Sequence, residues 1–171
     1  NDTISGINGA TGAADVLSAL TGDTVNGAAA TTGTVTISVA AGSTVPSVLT
    51  FDPATGKVSV HADTPAGTYS FNYQICETLN PANCAIATET VSVVAGAIAA
   101  VNDSATGING AAGAINVLNV LTGDMRNGGA ATTGTVTIVV APGSTVPTEL
   151  AFDTATGDVS VKPGTPAGTY L

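Results

Sequence analysis

Thr64-Pro65-Ala66-Gly67-Thr68-Tyr69-Ser70-Phe71-Asn72-Tyr73-Gln74-Ile75-Cys76 joins a turn to the most regular alternating run in the chain. Pro fixes its own φ and Gly reaches conformations other residues avoid, so Pro65 and Gly67 mark a reversal. Beyond it, Tyr69, Phe71, Tyr73 and Ile75 alternate with Ser70, Asn72 and Gln74. A period of two places the four large apolar side chains on one face of an extended strand and the polar ones on the other. The same alternation returns where Val35, Ile37 and Val39 interleave with Thr34, Thr36 and Ser38, and where Val58 and Val60 flank Ser59. Turn residues separate these runs at Asn8-Gly9, Asn26-Gly27 and Asp52-Pro53-Ala54-Thr55-Gly56. Val16, Leu17 and Leu20 have a spacing that a short helix would also use. Gly brackets the Ala13 to Leu20 stretch, however, and its length is marginal for a helix, so a strand is predicted there too. About seven short strands then follow in the first hundred residues, the spacing of two packed antiparallel sheets.

Sliding the chain against itself by about 101 residues aligns Asn1-Asp2-Thr3 with Asn102-Asp103-Ser104, and the match runs without a gap to Tyr69 against Tyr170. About 48 of the 70 aligned positions are identical. Gly6-Ile7-Asn8-Gly9 returns as Gly107-Ile108-Asn109-Gly110, Thr31 to Ile37 as Thr132 to Ile138, and Thr64 to Tyr69 as Thr165 to Tyr170. Two domains are expected, 1–100 and 101–171. Copy two stops at Leu171, where copy one continues through Phe71 to Val94, so it is expected to lack its last two strands. Such a domain exposes its core and an unpaired edge, which soluble proteins avoid. The expectation is that the natural chain continues. The competing idea is a strand lent by a neighbouring subunit. Against it, residues 1–70 already match the domain's own framework and leave no spare donor arm.

The composition narrows the function. Hydrophobic residues make up 44% of the chain but aromatics only 4%, with no Trp, so the core must be built from Val, Ile, Leu and Ala with a few Phe and Tyr. Twelve acidic residues face three basic ones, Lys57, Arg126 and Lys162, for a formal charge of -9. Phosphate recognition needs clustered Lys and Arg, which argues against nucleic acid and anionic membranes as partners. The longest strongly apolar run, Val91 to Val101, is about half the roughly 20 residues a membrane helix requires.

Asn102-Asp103-Ser104-Ala105-Thr106 opening a repeat, Val117-Leu118 before Thr122-Gly123-Asp124, and Tyr73-Gln74-Ile75-Cys76-Glu77 with Cys84 nearby resemble bacterial immunoglobulin-like and cadherin-like repeats of large surface proteins. The resemblance spans the whole chain. It implies an all-β chain of tandem immunoglobulin-like, Greek-key β-sandwiches with about seven strands per repeat, the second one truncated. It also implies an extracellular, cell-surface location and a place in a stalk, adhesin or matrix component, in some members rigidified by calcium. The chain has fewer acidic residues than the calcium-rich members. The partners expected are neighbouring repeats or like chains in a filament.

Cys76 and Cys84 lack a CxxC partner or a nearby His, so zinc and thioredoxin-type chemistry lack their ligand spacing. In an extracellular setting they are expected to form a disulfide stapling a hairpin; the alternative is two reduced, buried thiols in a cytosolic domain. Tyr69 heads its strand where many sandwiches carry a corner tyrosine tied to the preceding loop, although a half-buried strand aromatic fits equally well. Asp2, Asp23 and Asp52 recur as Asp103, Asp124 and Asp153, whereas Asp15, Asp63 and Lys57 change to Asn116, Gly164 and Asp158. Two readings stand for the retained carboxylates. In one they cap turns through their own backbone. In the other they converge with Glu77 at one pole as a calcium site, where six to eight oxygens are needed. Asn1-Asp2-Thr3 and Asn102-Asp103-Ser104 are N-x-[ST] sequons, candidates for glycosylation at Asn1 and Asn102 in a secreted archaeal or eukaryotic chain.

No catalytic constellation is present. His61 is the only histidine and its counterpart is Lys162, so a His-based nucleophile pair cannot operate in both copies. Gly6, Gly9 and Gly12 match neither the dinucleotide fingerprint nor the phosphate loop. Asp23 and Asp52 have no aromatics beside them on which a sugar could stack. The expected function is a non-catalytic stalk or spacer in an extracellular surface protein. The alternatives are a filament or sheath subunit assembled by lateral packing or strand exchange, and a calcium-dependent ligand-binding adhesin module.

Overall fold

The structure, a computed structural model, describes residues 1–171. It is all-β and forms two compact units, Asn1–Gly96 and Ala97–Leu171. Unit 1 contains β1 (Asp2–Asn8), β2 (Ala13–Ser18), β3 (Thr24–Val25), β4 (Ala28–Ala29), β5 (Val35–Val39), β6 (Leu49–Asp52), β7 (Lys57–Val60), β8 (Gly67–Glu77) and β9 (Cys84–Val94). One sheet has the order β1-β9-β8-β5 and a second the order β2-β7-β6, with β3 and β4 forming a two-stranded pair of their own. The hairpins β6–β7 and β8–β9 stay within a sheet. The connections from β1 to β2, β5 to β6 and β7 to β8 cross between sheets, which is the Greek-key wiring of an immunoglobulin-type sandwich.

The alternation in β8 places its side chains directly. Phe71, Tyr73 and Ile75 are buried, and so are Val91 and Val93 on β9, which pair with Tyr69 and Gly67. The second sheet supplies Leu49, Val58 and Val60, and Ala19 and Ala30 fill the ends of the layer. Phe51 of β6 meets Phe71 of β8 across the sandwich with ring centroids 5.0 Å apart at a tilt of 56°, a favoured aromatic geometry. Ala13 to Leu20 begins as strand β2 and ends in a turn.

All pairs in unit 1 are antiparallel except β1 with β9, which run parallel with a register shift between Ile4 and Ile7. Gly6 sits in that irregularity at φ 78°, a conformation side-chain-bearing residues rarely adopt. Gly9 is required for a different reason. A Cβ there would fall on the Thr64 carbonyl oxygen, and the equivalent Gly110 faces the Thr165 carbonyl in the same way.

Unit 2 contains β10 (Ile98–Ala99), β11 (Ala114–Asn119), β12 (Met125–Arg126), β13 (Gly129–Ala130), β14 (Leu150–Phe152) and β15 (Asp158–Val161). The sheet β11-β15-β14 reproduces β2-β7-β6, and β12–β13 reproduces β3–β4 with β10 added at its edge. The counterparts of β1 and β5 carry no strand in this unit. In unit 1 those two strands pair only with β9 and β8, so without these partners an extended segment has no ladder to join.

Candidate functional site

The one polar cluster inside the fold of unit 1 forms where β1 begins. Tyr73 lies on the core face of β8 and is fully buried. Its hydroxyl donates to Asp23 Oδ2 at 2.8 Å, with Asp2 Oδ2 3.5 Å away. Asp2 is in register with Glu89 on the parallel strand β9, and Glu89 stands opposite Phe71 of β8. Glu89 shares the alternation of Val91 and Val93, so the strand turns its side chain into the core. It is 0% exposed, and neither carboxylate oxygen has a hydrogen-bond partner.

Burial is the main cause that pushes the Glu89 carboxyl up to about 7, with the Asp2 and Asp23 charges acting in the same direction and the terminal ammonium opposing them. Burial also raises Asp2, again opposed by the terminal ammonium and reinforced by Asp23. The Tyr73 hydroxyl is held protonated far above its ordinary range, by burial first and then by its bond to Asp23. Chemically, the arrangement can hold a proton on Glu89 near neutrality.

The other retained carboxylates serve their own loops. Asp52 Oδ1 accepts from the Ala54 amide at 2.9 Å and Oδ2 from Thr55 Oγ1 at 2.7 Å, bonds that lower its pKa. Asp153 Oδ1 accepts from the Ala155 amide at 2.8 Å. Asp124 Oδ1 accepts from the Val101 amide at 2.7 Å, while Asp103 lies in a segment without regular structure. Glu77 Oε2 accepts from Asn80 and Asn83 at 3.0 and 3.1 Å, which hold its carboxyl below the usual range. No group of three or more His, Cys, Asp or Glu is placed to hold a metal ion. Within unit 1, Asp2 and Asp23 meet at Tyr73, whereas Asp52 and Glu77 are engaged by donors of their own loops.

Cys76 and Cys84 form a disulfide across the β8–β9 hairpin, at paired positions of the ladder. Asn1 and Asn102 are both exposed, and Asn1 Oδ1 accepts from the Thr88 amide at 2.8 Å.

The motifs common to both copies are loop ties. Tyr69 donates its hydroxyl to the Pro65 carbonyl at 2.9 Å, and Tyr170 does the same to Pro166 at 2.9 Å. Thr64 Oγ1 donates to the His61 carbonyl and Thr165 Oγ1 to the Lys162 carbonyl, each at 2.7 Å. Asn8 and Asn109 each accept from the amide two residues on. Where the copies differ, so do the contacts: His61 Nε2 meets Thr50 Oγ1 at 2.6 Å, whereas Lys162 Nζ donates to the Thr148 carbonyl. Glu89 is the residue that sequence reasoning missed. Its signal was a charge in phase with Ala87, Val91 and Val93.

No protein-family model matches the chain, and no curated protein matches it. Solved structures similar to it include the protocadherin GammaB4 extracellular domain, 11% identical with a TM-score of 0.33, over 94% of this chain and 28% of that one. The protocadherin gammaB7 EC3-6 cis-dimer is 11% identical with a TM-score of 0.35, over 93% and 40% of the two chains. Drosophila N-cadherin EC1-4 is 13% identical with a TM-score of 0.29, over 75% and 31%. The chain therefore spans well under half the length of these structures, and at these TM-scores the likeness says nothing about function.

Proposed function

We propose that this chain is a non-catalytic structural repeat of an extracellular surface protein, acting as a stalk or spacer between functional parts. The observation that carries the reading is the character of what the two copies keep. The Tyr69 and Tyr170 ties, the Thr64 and Thr165 ties and the Asp52 and Asp153 turns all bond backbone and so maintain the shape of a repeat. The residues with most chemical reach, His61 and Lys57, change to Lys162 and Asp158. The Cys76–Cys84 disulfide supports an oxidising, extracellular compartment.

The stalk is metal-free on this reading, which the backbone-tying roles of Asp52, Asp124 and Asp153 support. Thermal unfolding of the full chain in calcium and in chelator tests it. A metal that binds only the folded state raises the melting temperature by mass action, so equal melting temperatures are expected. A higher value in calcium that disappears in Asp23→Ala would replace the metal-free stalk with a calcium-stiffened one. Electron microscopy of the same preparation separates the stalk from the filament alternative: dispersed particles are expected, and ordered polymers would favour the filament.

A further inference from the structure

Asn is followed by Gly at four places, 8–9, 26–27, 109–110 and 127–128, and the fold treats them differently. In such a pair the Gly backbone nitrogen can close a five-membered ring on the Asn side-chain carbonyl carbon, and Gly has no side chain to block the approach. Reaction then depends on whether that nitrogen and that side chain are already held. Asn8 is tied at both points: its Oδ1 accepts from the Ala10 amide at 3.0 Å, and the buried Gly9 donates its amide to the Val94 carbonyl at 3.0 Å. Asn109 Oδ1 likewise accepts from the Ala111 amide at 3.1 Å, and Gly110 is packed on the Thr165 carbonyl.

Asn26-Gly27 and Asn127-Gly128 instead form the two-residue turns of the hairpins β3–β4 and β12–β13. Both positions of each turn have positive φ, 51° and 80° in the first and 59° and 80° in the second, as a turn of this kind requires. Gly27 and Gly128 are exposed with open space around them, and neither amide bonds to an acceptor. In unit 2 the segment of β10 takes up the Asn127 amide, 2.7 Å from the Ala97 carbonyl, and still leaves the Gly128 amide open, so covering that edge of the hairpin does not close the site. We propose that the Asn26-Gly27 and Asn127-Gly128 turns are sites of spontaneous covalent modification, where the Asn side chain deamidates through a cyclic imide. The Gly nitrogen gives its proton to solvent and bonds to the Asn Cγ, while the Cγ–Nδ2 bond breaks and ammonia leaves. Water then opens the ring. Opening at Cγ gives Asp, and opening at the main-chain carbonyl gives isoaspartate, whose backbone runs through the side-chain carbon. Either product adds a negative charge to its repeat. In unit 1 the new carboxylate replaces an amide beside Glu77, whose carboxyl is held below its ordinary range by hydrogen bonds from Asn80 first, then Asn83, and last Asn26. An attraction between the β3–β4 turn and the disulfide-closed loop becomes a repulsion. The inference rests on the turns alone and is independent of the stalk reading.

The experiment ages the full, disulfide-bonded chain in mildly alkaline buffer and follows each Asn-Gly pair by peptide mass spectrometry, with isoaspartate separated from Asp by chromatography. Asn26 and Asn127 should convert at least about tenfold faster than Asn8, because their Gly amides need not first break a buried hydrogen bond. Isoaspartate should be among the products. In the reduced chain unfolded by denaturant, Asn8 and Asn26 should convert at similar rates, which assigns the difference to the fold and not to the dipeptide. Gly27→Ala should slow conversion at Asn26 several-fold and leave Asn127, the internal reference, unchanged. Equal rates at Asn8 and Asn26 in the folded chain overturn the proposal. So does an Asn26 that stays intact over the time in which the unfolded chain converts it, or Asp formed without isoaspartate, the mark of direct hydrolysis with no ring.

Discussion

Glu89 is an acid in a position whose neighbours along the strand are Val91 and Val93. Its folded-state pKa lies above the ordinary value of 4.5, so between pH 4.5 and about 7 the folded chain holds a proton that the unfolded chain has released. Stability contributed by this group is present at pH 4.5 and is lost as pH rises to about 7, a change of up to about 3 kcal/mol. Asp52 and Glu77 act in the opposite sense: their pKa values are lowered, so their contributions are lost as the solution becomes more acidic than their ordinary range. A stability optimum in mildly acidic solution follows. Denaturant unfolding of the native chain and of Glu89→Gln at pH 5 and pH 8 checks it. The substitution should stabilise the protein more at pH 8 than at pH 5, and an equal effect at both values would show that Glu89 does not titrate in this range.

At the level of strands and hairpins, β8 and β9 hold the first sheet together, since each pairs on both sides. The Cys76–Cys84 bond closes their hairpin over a sequence separation of 8. Replacing both cysteines by Ser should cost about 2 to 3 kcal/mol through the released chain entropy of the unfolded state, read from the midpoint of denaturant unfolding. Much at this level was legible beforehand. The period-two runs gave β5, β7 and β8 their buried faces, and Pro65 to Gly67 announced the reversal, while the tie that Tyr69 makes was one of two readings the sequence left open. Thr135-Val136-Thr137-Ile138 shows where local reading ends. It is identical to Thr34-Val35-Thr36-Ile37, yet only the first copy forms a strand. Pattern establishes that such a segment can pair, whereas the presence of a partner decides whether it does. The carboxylates were illegible for a similar reason: retention of Asp52 and Asp153 fits a ligand and a turn cap alike, and only the amides of Ala54 and Ala155 distinguish them. Glu89 required knowing that Asp2 lies beside it, a pairing across nearly the whole of unit 1.

Across the whole molecule, two copies of nearly one sequence are unequally protected. Amide hydrogen exchange should be slower at Val35–Val39, where β5 pairs with β8, than at 136–140, which forms no strand. Similar rates in the two segments would contradict the difference between the units. The parallel pairing of β1 with β9 has a consequence for a chain placed under tension. In unit 1 the chain enters through β1 and leaves through β9, so a pull on the two ends drags these neighbours in opposite directions along their common axis. Every hydrogen bond between them is loaded together, in shear, whereas a terminal antiparallel hairpin would peel open one bond at a time. The wiring of the fold thus makes its outermost pair a mechanical clamp, strongest along the direction in which a tether is pulled.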